Sequence, residues 1–483
     1  MYKAYITALT NVRKHPNADR LLLADVFGNT VCVSTDYYEG QVGIYFPTDG
    51  QLSVEFAEKN NLLRKKDDAG NNIGGYMDPD KRNVTAIRLR GEKSDGLFLP
   101  MSALDYCYAH HDASIELRVG DVIDGVVNGH EICQKYIPRT NHRQGTPSAG
   151  NKTRKHKAPT APLFAEHADT EQLAYNLGAF KVGDEIEISL KMHGTSTRTA
   201  YLPVLKGYKR TLWDRLFRRE GKPIYEYDYV SGTRRTILEN YEGGYYGDNA
   251  FRQPHCDVFR GKLNRGETVY AEIVGFTTSG APIMGSCDNK KLNDKEFIKQ
   301  YGPTTVFSYG CASNGVMQCH SDDLGAFCLA ENVPQSDLYV YRMTMTNEDG
   351  YVVEYPPHLV RYRCEQMGVK CVPLLWKGTI PENEEVLYVD KDGDDVADAD
   401  EIAFVKKTDP GEWILAKANE YVDGADPIGK THLREGVVVR IVNRPKFAAY
   451  KQKSFEFRVL EGIVKANAET PDLEEAQEIL DAE

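Results

Sequence analysis

Ile188-Ser-Leu-Lys-Met-His-Gly-Thr-Ser-Thr-Arg-Thr-Ala-Tyr-Leu202 is the stretch on which the reading of the chain turns. Apolar alternation runs up to Lys191 and resumes after Ser196, the pattern of two strands, with Gly194 and Thr195 turning between them. Lys191 is thereby predicted at a strand end, on a short connection from which its ammonium can face a pocket. A lone lysine before a glycine turn is usually just solvated, so the weight falls on three later stretches. These are Val269-Tyr-Ala-Glu-Ile-Val-Gly275, Arg434-Glu-Gly-Val-Val-Val-Arg440 and Tyr450-Lys-Gln-Lys-Ser-Phe455. Each is an apolar, strand-like run carrying one or two charges, and a charge in a buried strand is costly unless it is paired or used. Singly, Glu272 reads as an edge charge, Glu435 with Arg440 as a salt-bridged strand, and Lys451 with Lys453 as a solvated face.

In this order the stretches resemble the covalent nucleotidyltransferase superfamily of ligases and capping enzymes, and within it the RNA ligases of the nick-sealing kind. Lys191-Met-His-Gly-Thr-Ser196 is similar to the first motif, Glu272 to the third, Glu435-Gly-Val-Val438 to the fourth and Lys451-Gln-Lys453 to the fifth. Asp228-Tyr-Val-Ser-Gly-Thr-Arg-Arg-Thr236 resembles the motif between the first and third, with Arg235 matching its arginine and Arg234 the neighbouring alternative. Leu338-Tyr-Val-Tyr-Arg-Met343 resembles the aromatic motif, which puts Tyr341 where a ring stacks on adenine. Stacking of that kind contributes roughly 1 to 3 kcal/mol per base in nucleic-acid systems. The match covers residues 166 to 468.

The resemblance implies an α+β chain whose ligase domain is built of ATP-grasp-like antiparallel sheets with helices. It implies ATP and Mg2+ or Mn2+ as cofactors, RNA as partner, and three steps. Lys191 attacks the α-phosphorus of ATP, AMP passes to an RNA 5′-phosphate, and a 3′-OH displaces AMP. The implied catalytic set is Lys191, His193, Lys451 and Lys453. Arg235, Glu272, Tyr341, Glu435 and Val438 are implied to bind the nucleotide, Glu435 also to hold the metal, and Ser196 and Arg234 to face the polynucleotide. A lysine is mostly protonated at neutral pH, so Lys451, Lys453 and the cation are expected to lower the pKa of Lys191. His193 stands where DNA ligases and capping enzymes carry Asp, which favours RNA joining. Ser196 stands where nick-sealing RNA ligases usually show Asn.

Upstream, residues 1 to 135 are rich in short alternating runs: Ala4 to Ala8, Leu21 to Val26, Val31 to Val33, Gly43 to Phe46, Thr85 to Arg90 and Gly96 to Leu99. Turn residues punctuate them, as in a small barrel. His15-Pro-Asn-Ala-Asp-Arg-Leu21 is similar to the opening of tRNA-binding oligonucleotide-binding (OB) folds. Arg88-Leu-Arg-Gly91 and Ser94-Asp-Gly-Leu97 resemble a later part of the N-terminal OB domain in one RNA ligase branch. An N-terminal OB domain with no room for one after Lys453 resembles the Deinococcus-type branch. Residues 136 to 165 are expected to form a basic linker, followed by the ligase domain over 166 to 483, ending in an acidic tail. A basic insertion from Lys206 to Lys222 reads as an amphipathic helix docked by Leu212, Trp213, Leu216 and Phe217.

The chain has 483 residues and a formal net charge of -12, so any nucleic-acid role must rest on local basic clusters. Ten cysteines are scattered without a Cys-x-x-Cys pair, and the first residues lack the apolar core of a signal peptide. These features read as a reduced, cytoplasmic protein, expected to be a monomer. No run approaches the ~18 apolar residues of a membrane span. The acidic run from Asp390 to Glu401 has its glycine at the wrong position for a calcium loop, and Cys311, Cys319, His320 and Cys328 lack zinc-site spacing. Two other functions fit part of the pattern: a GTP-dependent, capping-type guanylyltransferase, and a non-catalytic tRNA- or RNA-binding protein.

Overall fold

The computed structural model describes residues 2–66, 72–108, 117–137, 159–168, 170–217, 221–238, 241, 249–292, 294–318, 327–329, 331–382, 384–388, 402–407 and 409–466. The chain is a mixed α/β protein that divides into two compact units. One comprises Met1–Thr140, Lys291–Asn293 and Ser454–Glu469, and the other holds the remainder. Of the expected linker over 136 to 165, residues 138 to 158 lie outside the described residues, as do the acidic run from 390 to 401 and the acidic tail, while Ala161 and Phe164 near the linker's end are buried against Ala200, Leu202 and Val230.

In the first unit, the alternating runs form strands close to their expected bounds. Leu97–Pro100, Val42–Phe46, Ala4–Ala8 and Val122–Ile123 make one antiparallel sheet, and Thr10–Lys14, Leu21–Val26 and Asn29–Ser34 another. Among the described residues these sheets do not close into a barrel, so the barrel expectation is not met in that form. Alternation drives the fold: Ile6, Ile44, Phe46, Leu52, Phe56, Leu104 and Ile132 all bury into one core. His15, the first residue of the tRNA-binding-like stretch, is buried and structural. Its Nδ1 accepts from the Asn17 N–H, so Nε2 donates to the Leu89 carbonyl.

The first unit also contains a helix from far along the chain, Phe455–Ala466, which begins two residues after Lys453. Ser454 caps it through Phe457 N–H. Phe457 and Leu460 are buried, and Arg458 forms a buried ion pair with Asp95 at 2.5 Å. Glu456 pairs with Arg88 and Lys93, both of which also lie over the Phe455 ring. Arg88 and Asp95, from the OB-like stretches, are thus committed to holding this helix.

In the second unit, two sheets organise the chain. The first has the order Glu171–Gln172, Ala448–Lys453, Gly436–Ile441, Glu185–Lys191, Leu374–Thr379, antiparallel except at its first pair. Ile186, Ile188, Val437, Val439 and Ile441 turn one face onto the helix Pro410–Val422, with Ile414 and Ala418 in the shared core. The intervening residues, Ser189, Lys191, Val438, Lys451 and Lys453, therefore share the opposite face. The second sheet runs Lys222–Gly232, Thr195–Lys209, Glu267–Gly275, Ser336–Thr346, Val352–Glu354. The two strands of the decisive stretch are consequently not a hairpin, since each enters a different sheet. Between Thr304 and Tyr309 only Thr304–Thr305 is a strand, and Tyr309 adopts a left-handed φ of 47°. The cysteines whose side chains are described are free thiols, and no described helix is long and apolar enough to cross a membrane.

Candidate active site

Lys191 is the last residue of its strand and lies opposite Gly436 in the register, while Gly436 lies opposite Lys453 and Val438 opposite Lys451. Three sequence-distant stretches are thereby brought side by side on one sheet face. A Cβ on Gly436 would approach the Gln452 carbonyl to 2.1 Å, so only glycine lets these strands meet there. Glu435, which precedes it, is buried between the cations. Its Oε1 is 2.7 Å from Lys191 Nζ and 3.6 Å from Lys453 Nζ, and its Oε2 is 3.9 Å from His193 Nδ1. Oε2 is buried and accepts no hydrogen bond.

Charge in this cluster is set by competition. Burial alone would raise the Glu435 carboxyl, but Lys191, Lys453 and His193 overcome it and hold the group below its ordinary range. Burial likewise acts against the Lys191 ammonium, yet Glu435 outweighs it and keeps Lys191 protonated above its ordinary range. The expectation that the neighbouring lysines lower Lys191 is therefore corrected: Lys453 does push it down, and the carboxylate wins. Among the described residues no carboxylate forms an ion pair with Lys451, and burial with Lys453 and Lys191 outweighs the pull of Glu435 and pushes it down to about 8.

The connection bearing His193 is held tightly. A Cβ on Gly194 would come within 2.5 Å of the Ile273 carbonyl and 2.9 Å of Glu272 Cγ, so this glycine permits the loop to lie against the strand Glu267–Gly275. His193 N–H donates to Tyr309 Oη at 2.7 Å, and the His193 ring meets Phe307 edge-on at 4.7 Å. Behind them, fully buried His432 is kept neutral by burial, against the pull of Asp426. Its Nδ1–H donates to the Leu433 carbonyl at 2.8 Å, leaving Nε2 to accept the Tyr309 N–H at 3.4 Å. Phe307, Tyr309, Asp426 and His432 form a support that the sequence reading missed; a histidine three residues before Glu435 is its sequence trace.

The second sheet supplies the other wall. Glu272 lies between Ser196 and Tyr339 in the register, and its charge reaches Lys191. Tyr270, two residues away on the same face, touches His167 at 5.7 Å between ring centroids, and Tyr341 meets His167 edge-on at 5.4 Å. Tyr341 is the extra residue of a β-bulge, since Tyr270 pairs with Arg342 and Ala271 with Val340. His167 was not singled out from the sequence. Burial, then Arg342, Arg234, Arg198 and Lys191, push its pKa down to about 3, and its buried Nδ1 has no partner.

Arg198 ties this wall together. Its Nε donates to the Thr233 carbonyl at 2.8 Å and Nη2 to the Arg235 carbonyl at 2.9 Å. Nη1 donates to the Phe164 and Ala165 carbonyls, and the guanidinium lies 4.1 Å over the Phe164 ring. One buried side chain thus fixes both the segment leading to His167 and the turn carrying Arg234 and Arg235. Of those two, Arg234 is half-buried and its charge reaches Lys451 and His167, whereas Arg235 is exposed. Ser196 is buried, and its carbonyl accepts from Arg252 at 2.9 Å.

No family model and no curated relative matches the chain. Among solved structures it is similar to Naegleria gruberi RNA ligase. A variant of that enzyme with ATP and Mn is 15% identical, with 94% of this chain and 98% of that chain covered and a TM-score of 0.48. A variant with AMP and Mn is 16% identical, with coverage of 94% and 97% and a TM-score of 0.49. The enzyme with PPi is 15% identical, with coverage of 93% and 96% and a TM-score of 0.48.

Proposed function

We propose that the chain is an ATP-dependent RNA ligase that joins 3′-OH and 5′-phosphate ends through a lysyl-AMP intermediate. The observation that carries this reading is the buried Glu435 carboxylate gripped by Lys191 and Lys453, with His193 beside it. In this reading Lys191 Nζ attacks the α-phosphorus of ATP, forming the N–P bond as the bond to pyrophosphate breaks. Lys451 and Lys453, on the same sheet face, neutralise charge developing on the phosphate. Tyr341 offers its ring to adenine, Glu272 faces the ribose, and Arg234, Arg235 and Val438 complete the nucleotide's surroundings.

The donor set fits a divalent cation held mainly through water and phosphate. Glu435 Oε2 is an orphaned buried acceptor, and among the described residues no three ligating side chains cluster. Such a cation would supply Lewis-acid polarisation of the phosphoryl oxygen. Held by Glu435, such a cation would also offset the negative charge that keeps Lys191 protonated.

The finer reading is of nick sealing in RNA, with His193 serving transfer to RNA and the first unit acting as an OB-like RNA-binding module. The direct test incubates the chain with labelled ATP or GTP and magnesium, followed by a denaturing gel. Label from ATP on the native chain and none on Lys191→Ala is the expected result. Label from GTP alone would favour a capping enzyme, and none from either a non-catalytic RNA-binding protein.

A further inference from the structure

One surface remains unused by this site. The strands Thr195–Lys209 and Lys222–Gly232 stay paired as far as Lys209 and Lys222, whereas the partner strand Glu267–Gly275 stops pairing at Ala200. Leu205 N–H still donates to the Thr160 carbonyl at 2.8 Å; beyond it the pair forms a two-stranded arm, and the short helix Leu212–Leu216 sits at its tip. The tip is a built element. Thr211 Oγ accepts from Asp214 N–H at 3.2 Å while the Asp214 carboxylate accepts from Thr211 N–H at 2.8 Å, a reciprocal cap. Trp213 and Phe217, one turn apart, stack with centroids 5.9 Å apart and planes 10° apart.

The expected docking of this helix does not occur. Leu212 is 82% exposed, Trp213 69%, Leu216 70% and Phe217 59%. Four large apolar side chains on one protruding element mark an interaction surface. Among the described residues of the tip, Lys209, Arg210 and Lys222 are exposed and stand with one acid, Asp214, so the tip is net positive on a chain of net charge -12. Positive charge selects a polyanion, and exposed, near-parallel aromatic rings select flat bases that are not already paired. A bilayer would use the leucines but gain nothing from ring faces held parallel to each other.

We propose that the arm tip docks an unpaired segment of RNA by stacking on Trp213 and Phe217 and by contacts from Lys209, Arg210 and Lys222 to phosphates. The strand Thr195–Lys209 begins four residues after Lys191 and spans about 45 Å at ~3.3 Å per residue, so the tip grips RNA far from the end being joined. The assignment of RNA rests on the function proposed above.

The test compares full-length native chain with Trp213→Ala/Phe217→Ala and with Lys209→Glu/Arg210→Glu, without ATP. Binding to labelled nicked RNA duplex is measured with and without a single-stranded tail. Each double variant is expected to bind tailed RNA about tenfold more weakly, with blunt-duplex affinity and adduct formation from ATP unchanged. Unchanged affinity for tailed RNA, or an equal loss on both RNAs, overturns the proposal. So does binding of phosphatidylserine vesicles in preference to RNA, or a native dimer that Trp213→Ala/Phe217→Ala dissociates. If the variants lose tailed RNA while the native chain takes no label from ATP, the docking surface stands and the ligase reading falls.

Discussion

Glu435 is the residue on which the charge state of the candidate site depends. Its carboxylate holds Lys191 protonated against burial and Lys453, so Glu435→Gln is expected to lower the Lys191 pKa. An amine-directed reagent at pH 8 should modify Lys191 faster in that variant, located by mass spectrometry, while adduct formation from ATP and magnesium falls at least tenfold. A slower modification would show that Glu435 does not set the protonation of Lys191. Lys451 carries the opposite shift. Its folded pKa, about 8, lies below the unfolded lysine value, so the cost of its buried charge is present below pH 8 and fades as pH rises towards the unfolded value. Affinity for a non-reactive ATP analogue should therefore decline above pH 8 as Lys451 loses its proton. Lys451→Arg, which stays charged, should hold its affinity through pH 9, as titration calorimetry across pH would show.

Among the elements, the wall facing the nucleotide depends on a side chain with no chemistry to perform. Arg198 satisfies four carbonyl oxygens from two loops, and among the described residues no carboxylate pairs with it. Each buried acceptor left unsatisfied costs about 1 to 3 kcal/mol. After partial relaxation, Arg198→Met should destabilise the second unit by about 3 kcal/mol or more, measured by urea unfolding. Arg198→Lys should recover little, because an ammonium cannot reproduce the planar fork. A loss below about 1 kcal/mol would place the loops under other control. The strands of the site were legible because period-two burial writes itself into composition: Ile186, Ile188, Val437 and Val439 on the core face, Lys191 and Lys451 on the opposite one. Arg198 was hidden in the quoted stretch, because alternation gives a residue's face but not the carbonyls it will meet.

For the whole molecule, the unexpected finding is that the helix Phe455–Ala466 belongs to the first unit although it follows Lys453 directly. A twelve-residue helix is marginal alone, so it depends on Asp95, Arg88 and the core around Phe457 and Leu460. Breaking a buried ion pair by removing one partner costs about 3 to 5 kcal/mol. In full-length Asp95→Ala, amides of 455 to 466 should therefore lose protection in hydrogen exchange before those of the strand Gly436–Ile441. Full protection of the helix in that variant would mean that its apolar face alone secures it. A fragment starting near residue 160 keeps the motif residues but strips this helix of its partners, so it should form adduct yet aggregate through Phe457 and Leu460.

What the sequence determined by itself was local and periodic: the strands, the lysine at a strand end, and the ordered stretches containing Glu272, Glu435, Lys451 and Lys453. Those follow from side-chain alternation and the cost of burying charge, which act over a few residues. Tertiary structure alone decided the rest. It put the two halves of one quoted stretch into different sheets, left the apolar face of 212 to 217 in solvent, and committed Arg88 to Glu456, 368 residues away. It also set the sign of the Lys191 shift, because that sign depends on whether the carboxylate or the neighbouring ammonium is nearer. Glu435 at 2.7 Å settles it, and Coulomb energy varies with a distance that no spacing along the chain encodes.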